Sequence, residues 1–250
     1  MNPERLRSAE ATAIATTTFY NPNSDVDKSR AEISRGVIRN MHDLGYNVVV
    51  VDGGSSDEFL DSIIPYCQLF NENPRGMGNG RRQAVRECLE TSARVIAWTE
   101  PEKDSYIPEL HKTVIPILNG NAELVFPSRA NLDNYPISQQ YAEKFAIQTM
   151  KNLTGRGLDY WFGPKTWSRK VSTQFLDYQS KCGDKWDSIL LPFLGMIKAG
   201  VKTMDVPVNY DHPTQQTIAE EGDVKMDLKR LEQLNNLIPA AIEYWNSLDK

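Results

Sequence analysis

Strand-like and helix-like stretches alternate through the first 130 or so residues, joined by short turns, and this alternation restricts the fold more than any other feature. Residues 11–19 mix small residues, Thr and apolar residues and predict a strand, which the turn Tyr20-Asn21-Pro22-Asn23 ends. Residues 29–44 carry Ile33, Val37, Ile38 and Met41 at helical spacing, with Gly45 as the stop. Residues 47–51 are a continuous apolar run, the signature of a parallel strand covered on both faces. Further strands are expected at 68–70, 94–99 and 123–126. Between them fall helices capped by Ser56 or Asp57, opened by a glycine-rich turn, and spanning 107–118. The pattern predicts an α/β fold, a mostly parallel central sheet with helices on both faces.

The second half is less regular. Residues 138–153 predict an amphipathic helix, broken at Thr154-Gly155-Arg156-Gly157, and the aromatic residues Tyr160, Trp161, Phe162 and Trp167 are expected in the core. A helix over 188–199 and a last strand over 201–208 follow. Residues 214–223 are polar and without periodicity, the pattern of a mobile loop acting as a lid. From 224 onward Leu228, Leu231, Leu234, Ile238, Ile242 and Trp245 fall at helical spacing, with a kink expected at Pro239. This C-terminal helix is a packing element or the face of a homodimer. The chain of 250 residues is expected to form one domain: a ligand-binding half over 11–130, an acceptor-side half over 131–213, and the loop and helix of 214–250.

Composition removes several classes. The net charge is −5 and no basic run exceeds a pair of arginines, which argues against nucleic acid as a partner. Cys67, Cys88 and Cys182 are odd in number and far apart, so a reducing, cytoplasmic compartment is expected. No signal-peptide pattern opens the sequence. The longest apolar block, 189–197, contains Pro192 and Gly195 and is too short to cross a bilayer.

In open sheets ligands bind beyond the carboxyl ends of the strands. The unusual polar residues collect there: Tyr20, Asp52 with Gly53, the stretch 71–82, Glu100 with Glu102, and Arg129. Glu100 and Glu102 are two residues apart and would share a face of an extended segment. Two such carboxylates repel unless a cation lies between them, and Mg2+ or Mn2+ arriving with a phosphate is the natural occupant. The plain alternative is a solvated acidic turn. His212, after the last strand, is a third candidate ligand or a structural histidine. Gly76-Met77-Gly78-Asn79-Gly80 is neither a P-loop nor a dinucleotide fingerprint. It would still leave backbone donors free for an anion, with Arg75, Arg81 and Arg82 beside it. Asp52 is a nucleoside contact or a turn former. Asp187, next to Trp186, is a helix cap or a carboxylate facing the reacting sugar or its acceptor.

Taken together over residues 11–213, these motifs resemble the GT-A nucleotide-sugar glycosyltransferases. Residues 48–57 are similar to that family's strand ending in a nucleotide-holding Asp. The glycine turn most resembles that of mannosylglycerate and glucosyl-3-phosphoglycerate synthases, with Met77 where they carry Lys. Glu100-Pro101-Glu102 stands in the place of Asp-x-Asp, Ser128-Arg129 matches the Ser-Arg after the next strand, Trp186-Asp187 matches the acceptor-side element, and Asp211-His212 matches the late metal His. The resemblance implies sugar transfer from a nucleotide diphosphate sugar to an acceptor, with a divalent metal. Tyr20, Asp52, Gly53, Arg75, Gly76, Gly78, Arg81, Arg129 and Trp186 would contact substrates. Glu100, Glu102 and His212 would hold the metal, and Asp187 would be catalytic. Two alternatives stand beside it. One is a non-catalytic nucleotide-sugar-binding or regulatory protein, suggested by the Glu-Pro-Glu. The other is a sugar-phosphate nucleotidyltransferase, disfavoured because Tyr20-Asn21-Pro22-Asn23 replaces its glycine-rich, lysine-containing loop.

Overall fold

The computed structural model describes residues 2–249. In chain order the elements are α1 (Pro3–Ala11), β1 (Thr12–Thr18), α2 (Asp25–Asp43), β2 (Asn47–Asp52), α3 (Asp57–Ile63), β3 (Gln68–Asn71), α4 (Met77–Leu89), β4 (Val95–Trp98), α5 (Leu110–Leu118), β5 (Leu124–Arg129) and α6 (Ile137–Thr154). Then follow β6 (Lys165–Ser168), α7 (Ser172–Leu176), α8 (Leu191–Lys198), β7 (Thr203–Val208), α9 (Thr214–Glu220) and α10 (Val224–Ser247), with short 3-10 turns between some of them.

One seven-stranded sheet runs in the order β3-β2-β1-β4-β6-β5-β7. All neighbours are parallel except β6, which is antiparallel to both β4 and β5. The valines of β2 explain its central place. Val49 and Val51 enter one core with Ala13 and Ala15, and Val48 and Val50 enter the other with Ile14. Each fully buried valine contributes roughly 1.5 kcal/mol or more.

Several elements depart from the sequence expectation. The stretch before β1 is a helix, α1, capped by the Asn2 side chain with Pro3 in its first turn. α2 begins at Asp25 because Ser24 caps it by accepting from the Asp27 N–H. The aromatic stretch contains β6: Trp167 is fully buried and packs on Phe175 at 5.4 Å and Phe193 at 5.2 Å. Residues 214–220, expected as loop, are helix α9. Its Thr217 hydroxyl donates to the Asn134 carbonyl at 2.6 Å and lies 2.8 Å from His212 Nδ1, which ties the turn down. α10 continues through Pro239. Among the described residues no helix is long and apolar enough to cross a membrane.

Candidate functional site

The carboxyl ends of β3, β2, β1 and β4 stand side by side and open into a cleft of about 500 Å3. Thr17 and Thr18 line it from the end of β1 and Phe19 and Tyr20 from the turn that follows, Gly53 from the turn after β2, Glu72 and Arg75 from the turn after β3, and Met77 from the start of α4. Glu100, Pro101 and Glu102 line it from the end of β4, with Arg81 from α4 and Arg30 from α2. Three carboxylates and three guanidinium groups thus share one cavity. Of the residues expected from sequence, Tyr20, Gly53, Arg75, Arg81, Glu100 and Glu102 are brought together here.

The two glutamates are held differently. Glu102 is buried, and its Oε1 accepts from the Tyr20 hydroxyl at 2.8 Å and pairs with Arg30 Nη2 at 2.8 Å. Burial, reinforced by Glu102, pushes the Tyr20 phenol well above its ordinary value, so Tyr20 is a donor at any physiological pH. Glu100 has a buried Oε2 with no hydrogen-bond partner among the described residues. Its carboxylate lies against Gly163, where any Cβ would overlap it. Glu is one methylene longer than Asp, and the missing side chain at Gly163 provides the room for that extra reach. Behind it Lys165 is fully buried, and burial pushes its amine down to about 8 against the opposing pull of Asp159 and Glu100.

The glycine turn positions α4. Gly76 sits at φ 143° as the helix N-cap, a conformation that favours glycine. Gly78 is a contact glycine: its N–H donates to the Asp184 carbonyl at 2.9 Å, and a Cβ would overlap the Asp184 carboxylate. Gly78 therefore spends its donor inside the protein, contrary to the expected phosphate contact. The Met77 and Asn79 N–H groups, at the start of the helix, remain for an anion. Arg82 forks onto Asp184 at 2.8 and 2.5 Å and locks the same loop to α4. Arg81 reaches the cleft but is also a strut. Its Nη1 donates to the Lys185 carbonyl at 2.6 Å and the Ser188 hydroxyl at 2.8 Å, and it lies over the Trp98 ring. Burial lowers it to about 10, opposed by Glu100, Asp187 and Asp184, so it stays charged at neutral pH.

Other expected roles do not survive. Asp52 accepts from the Thr18 hydroxyl, the Ser55 hydroxyl and the Gly54 and Ser55 N–H groups, all within 2.8 Å. Its lone pairs are full, and it builds the turn after β2 rather than offering a nucleoside contact. Asp187 is 1% exposed and does not line the cleft. It accepts from the Tyr178 hydroxyl and the Lys185 N–H at 2.8 Å each, so it is neither a forward helix cap nor an exposed base. It fixes the loop that holds Arg81. Trp186 packs half-buried against the core outside the cleft lining. Arg129 is a buried strut, forked onto Asp159 at 2.8 Å and paired with Glu143 at 2.6 Å. It stands at the end of β5, which the antiparallel β6 separates from β4.

His212 is 3% exposed, packed against Tyr135 in a tilted arrangement with ring centroids 4.2 Å apart, and hydrogen-bonded to Thr217. Among the described residues no three His, Cys, Asp or Glu side chains gather as a metal group, so His212 does not join Glu100 and Glu102. Burial, helped by Lys103, Arg230 and Arg129, lowers its imidazole to about 3. The unfolded chain takes up a proton near pH 6.5 that the folded state refuses, so stability falls as pH drops from about 6.5 toward 3, by at most about 1.4 kcal/mol per pH unit. His212→Gln should flatten that slope. Urea midpoints at pH 7 and 4.5 check it, and an unchanged slope would assign the acid sensitivity elsewhere.

Phe19, Arg30 and Glu72 were not singled out from the sequence. Phe19 reads as the last residue of a strand, Arg30 as one charge on a solvated helix face, and Glu72 as part of a polar turn. Only the sheet order brings them to one cavity.

No family model matches the sequence, and no curated protein matches it. Solved structures do match the fold. Glucosyl-3-phosphoglycerate synthase from M. tuberculosis aligns with a TM-score of 0.60 at 13% identity, over 98% of this chain and 83% of that one. The M. tuberculosis enzyme in complex with Mn2+, UDP-glucose and phosphoglyceric acid aligns at 0.57 and 13%, over 94% and 82%. A mannosyltransferase from Pyrobaculum calidifontis, in complex with GDP-mannose and Mn2+, aligns at 0.56 and 13%, over 95% and 73%. At such identities the likeness establishes the fold alone, and the fold is GT-A.

Proposed function

We propose that this GT-A-fold chain binds a nucleotide diphosphate sugar across the β3-β2-β1-β4 edge and transfers its sugar to an acceptor. The observation that carries this reading is the composition of the cleft. Arg75, Arg81 and the free N–H groups that open α4 face two carboxylates, Glu100 and Glu102, on one strand end. The fold neighbours bound to nucleotide sugars support it.

The residues present fit a divalent ion in part. Glu100 Oε2 is buried without a partner, and the two contacts to Glu102 both fall on Oε1, so each carboxylate has an oxygen to offer. Mg2+ typically takes one or two carboxylates plus phosphate oxygens, and Mn2+ suits the same donors. Glu100 and Glu102 would hold the ion, which when bound would supply Lewis-acid neutralisation of the departing diphosphate. The chain's own groups do the rest. Arg81 and the α4 N–H groups bind phosphate oxygens, Tyr20 and Arg30 orient Glu102, and Asp187 positions Arg81 through the 185–188 loop. Asp187 is therefore a positioning residue in this proposal, not a base. Its burial also favours a second reading, a nucleotide-sugar-binding protein without transfer activity.

The test is release of nucleoside diphosphate from a panel of nucleotide sugars, with Mn2+ or with EDTA. Metal-stimulated release supports the enzyme. Binding without release supports the second reading, and no binding by any nucleotide sugar overturns both.

A second copy of the chain is proposed to cover an apolar face. Ile137, Tyr141 and Phe145 on α6 and Val224, Leu228 and Leu231 on α10 repeat at helical spacing, each more than half exposed. α6 packs on α10. The largest apolar patch of a monomer is about 300–600 Å2, and a stable dimer covers about 800 Å2 per partner. Light scattering should give twice the 28.3 kDa of one chain, and Tyr141→Glu with Leu228→Glu should give a monomer. A monomeric wild type at micromolar concentration sinks the idea.

A further inference from the structure

Three cleft residues have no part in the arrangement above or only a share of it: Glu72, Phe19 and Arg75. Glu72 follows β3, and among the described residues no basic side chain or hydrogen-bond donor meets its carboxylate. The carboxylate rests over two glycines. Its Oε1 lies 2.5 Å from where a Cβ on Gly80 would stand, and its Oε2 lies 3.0 Å from the corresponding point on Gly53. Phe19 comes to that same point of Gly53, its Cβ at 3.5 Å, and is 62% exposed at the cleft. Arg75 lies across the next residue, with Nη2 at 3.3 Å from the Cβ position of Gly54.

An exposed aromatic face beside a polar edge suits a nucleobase, which stacks on the ring and is read along its hydrogen-bonding edge. An ionised carboxylate offers two acceptors and no donor. Guanine presents two adjacent donors, N1–H and N2–H, with the acceptor O6 next to them. Uracil presents one N–H flanked by two carbonyl oxygens, which would oppose the carboxylate. Adenine and cytosine set one donor beside a ring-nitrogen acceptor, which would also oppose it. A carboxylate followed by a guanidinium is complementary to guanine along its whole edge.

We infer that the cleft reads guanine: Glu72 accepts from N1–H and N2–H, Arg75 donates to O6, and Phe19 stacks on the base. The inference rests on the donor-binding reading above and narrows the donor to a guanosine diphosphate sugar. The ribose 2′,3′-diol is the other pair of adjacent donors on such a ligand, and the test separates the two.

Calorimetric titration of the full chain with GDP, UDP, ADP and CDP in Mn2+ is the measurement. GDP is expected to bind at least about tenfold more tightly than the others, because a site built to accept N–H groups rejects bases that lack them. Glu72→Gln should remove most of that preference while leaving UDP affinity nearly unchanged, and Phe19→Ala should weaken all four. Circular dichroism confirms that each variant is folded. UDP binding as tightly as GDP overturns the inference. So does a Glu72→Gln loss that is equal for GDP and UDP and absent on 2′,3′-dideoxy-GDP, since that places the carboxylate on ribose. Failure of all four diphosphates to bind would instead remove the donor-site reading itself.

Discussion

Replacing Arg129 by methionine is expected to cost about 3–5 kcal/mol of folding stability, the range for breaking a buried ion pair by removing one partner. The Arg129 side chain is 2% exposed and compensates two buried carboxylates, Asp159 and Glu143. It also lies over the rings of Tyr135 and Phe162 at 5.1 and 4.9 Å, so methionine would keep part of the packing and none of the charge. Whole domains are stable by only about 5–15 kcal/mol, so the variant should be marginal at room temperature. A urea midpoint that falls without a change in slope would match this mechanism. The pH dependence adds a sharper readout. Burial alone would raise Asp159, yet Arg129 holds it below the ordinary carboxylate value. In the wild type that contribution is present at neutral pH and is lost as pH falls through the depressed value. In the variant burial is opposed by Lys165 and backbone N–H groups alone, so Asp159 takes up its proton at a higher pH than in the wild type, and protonation relieves the buried charge. The gap between wild type and variant should therefore narrow toward acid. A gap that stays constant from pH 7 to 4 would mean that the carboxylates do not depend on Arg129.

The second large effect is expected at Glu100. Glu100→Gln removes a negative charge that also offsets the buried cations Lys165 and Arg81, so some stability should be lost, and a urea midpoint first confirms that the variant is folded. If that charge holds an ion for the diphosphate, nucleotide binding in Mn2+ should weaken by tenfold or more, at least about 1.4 kcal/mol. Transfer should fall by about a hundredfold or more, the scale for losing one group that stabilises developing charge. Gly163→Ala provides an independent route to the same result. A methyl there would overlap the Glu100 carboxylate and displace it without changing its chemistry. Both variants should lose the difference between Mn2+ and EDTA while keeping some metal-free affinity through Arg81 and α4. Wild-type affinity that does not respond to EDTA, together with an unaffected Glu100→Gln, would take the ion out of the proposal and leave the arginines to carry the phosphates.

The α/β class, the parallel strands β1 to β5 and the sheet edge at which polar residues gather were legible in the sequence. They follow from local signals: apolar runs report burial on both faces, and glycine, proline and capping residues report where the backbone must turn. Local signals also placed Glu100, Glu102, Arg75 and Arg81 at strand or helix ends, and the structure gathers all four in one cleft. Tertiary structure alone decided which polar group meets which. The four-residue strand β6, hidden in an aromatic stretch, enters antiparallel between β4 and β5 and sets Arg129 and His212 apart from the cleft. Asp52 spends its oxygens on its own turn, a contact three residues long that looks the same in sequence as a free acid. Conversely, Phe19, Arg30 and Glu72 acquire their meaning from neighbours that sheet order supplies, Arg30 meeting Glu102 across 72 positions. Periodicity encodes the face a residue turns to the core. The charge across from it is set by non-local pairing, which no local pattern carries.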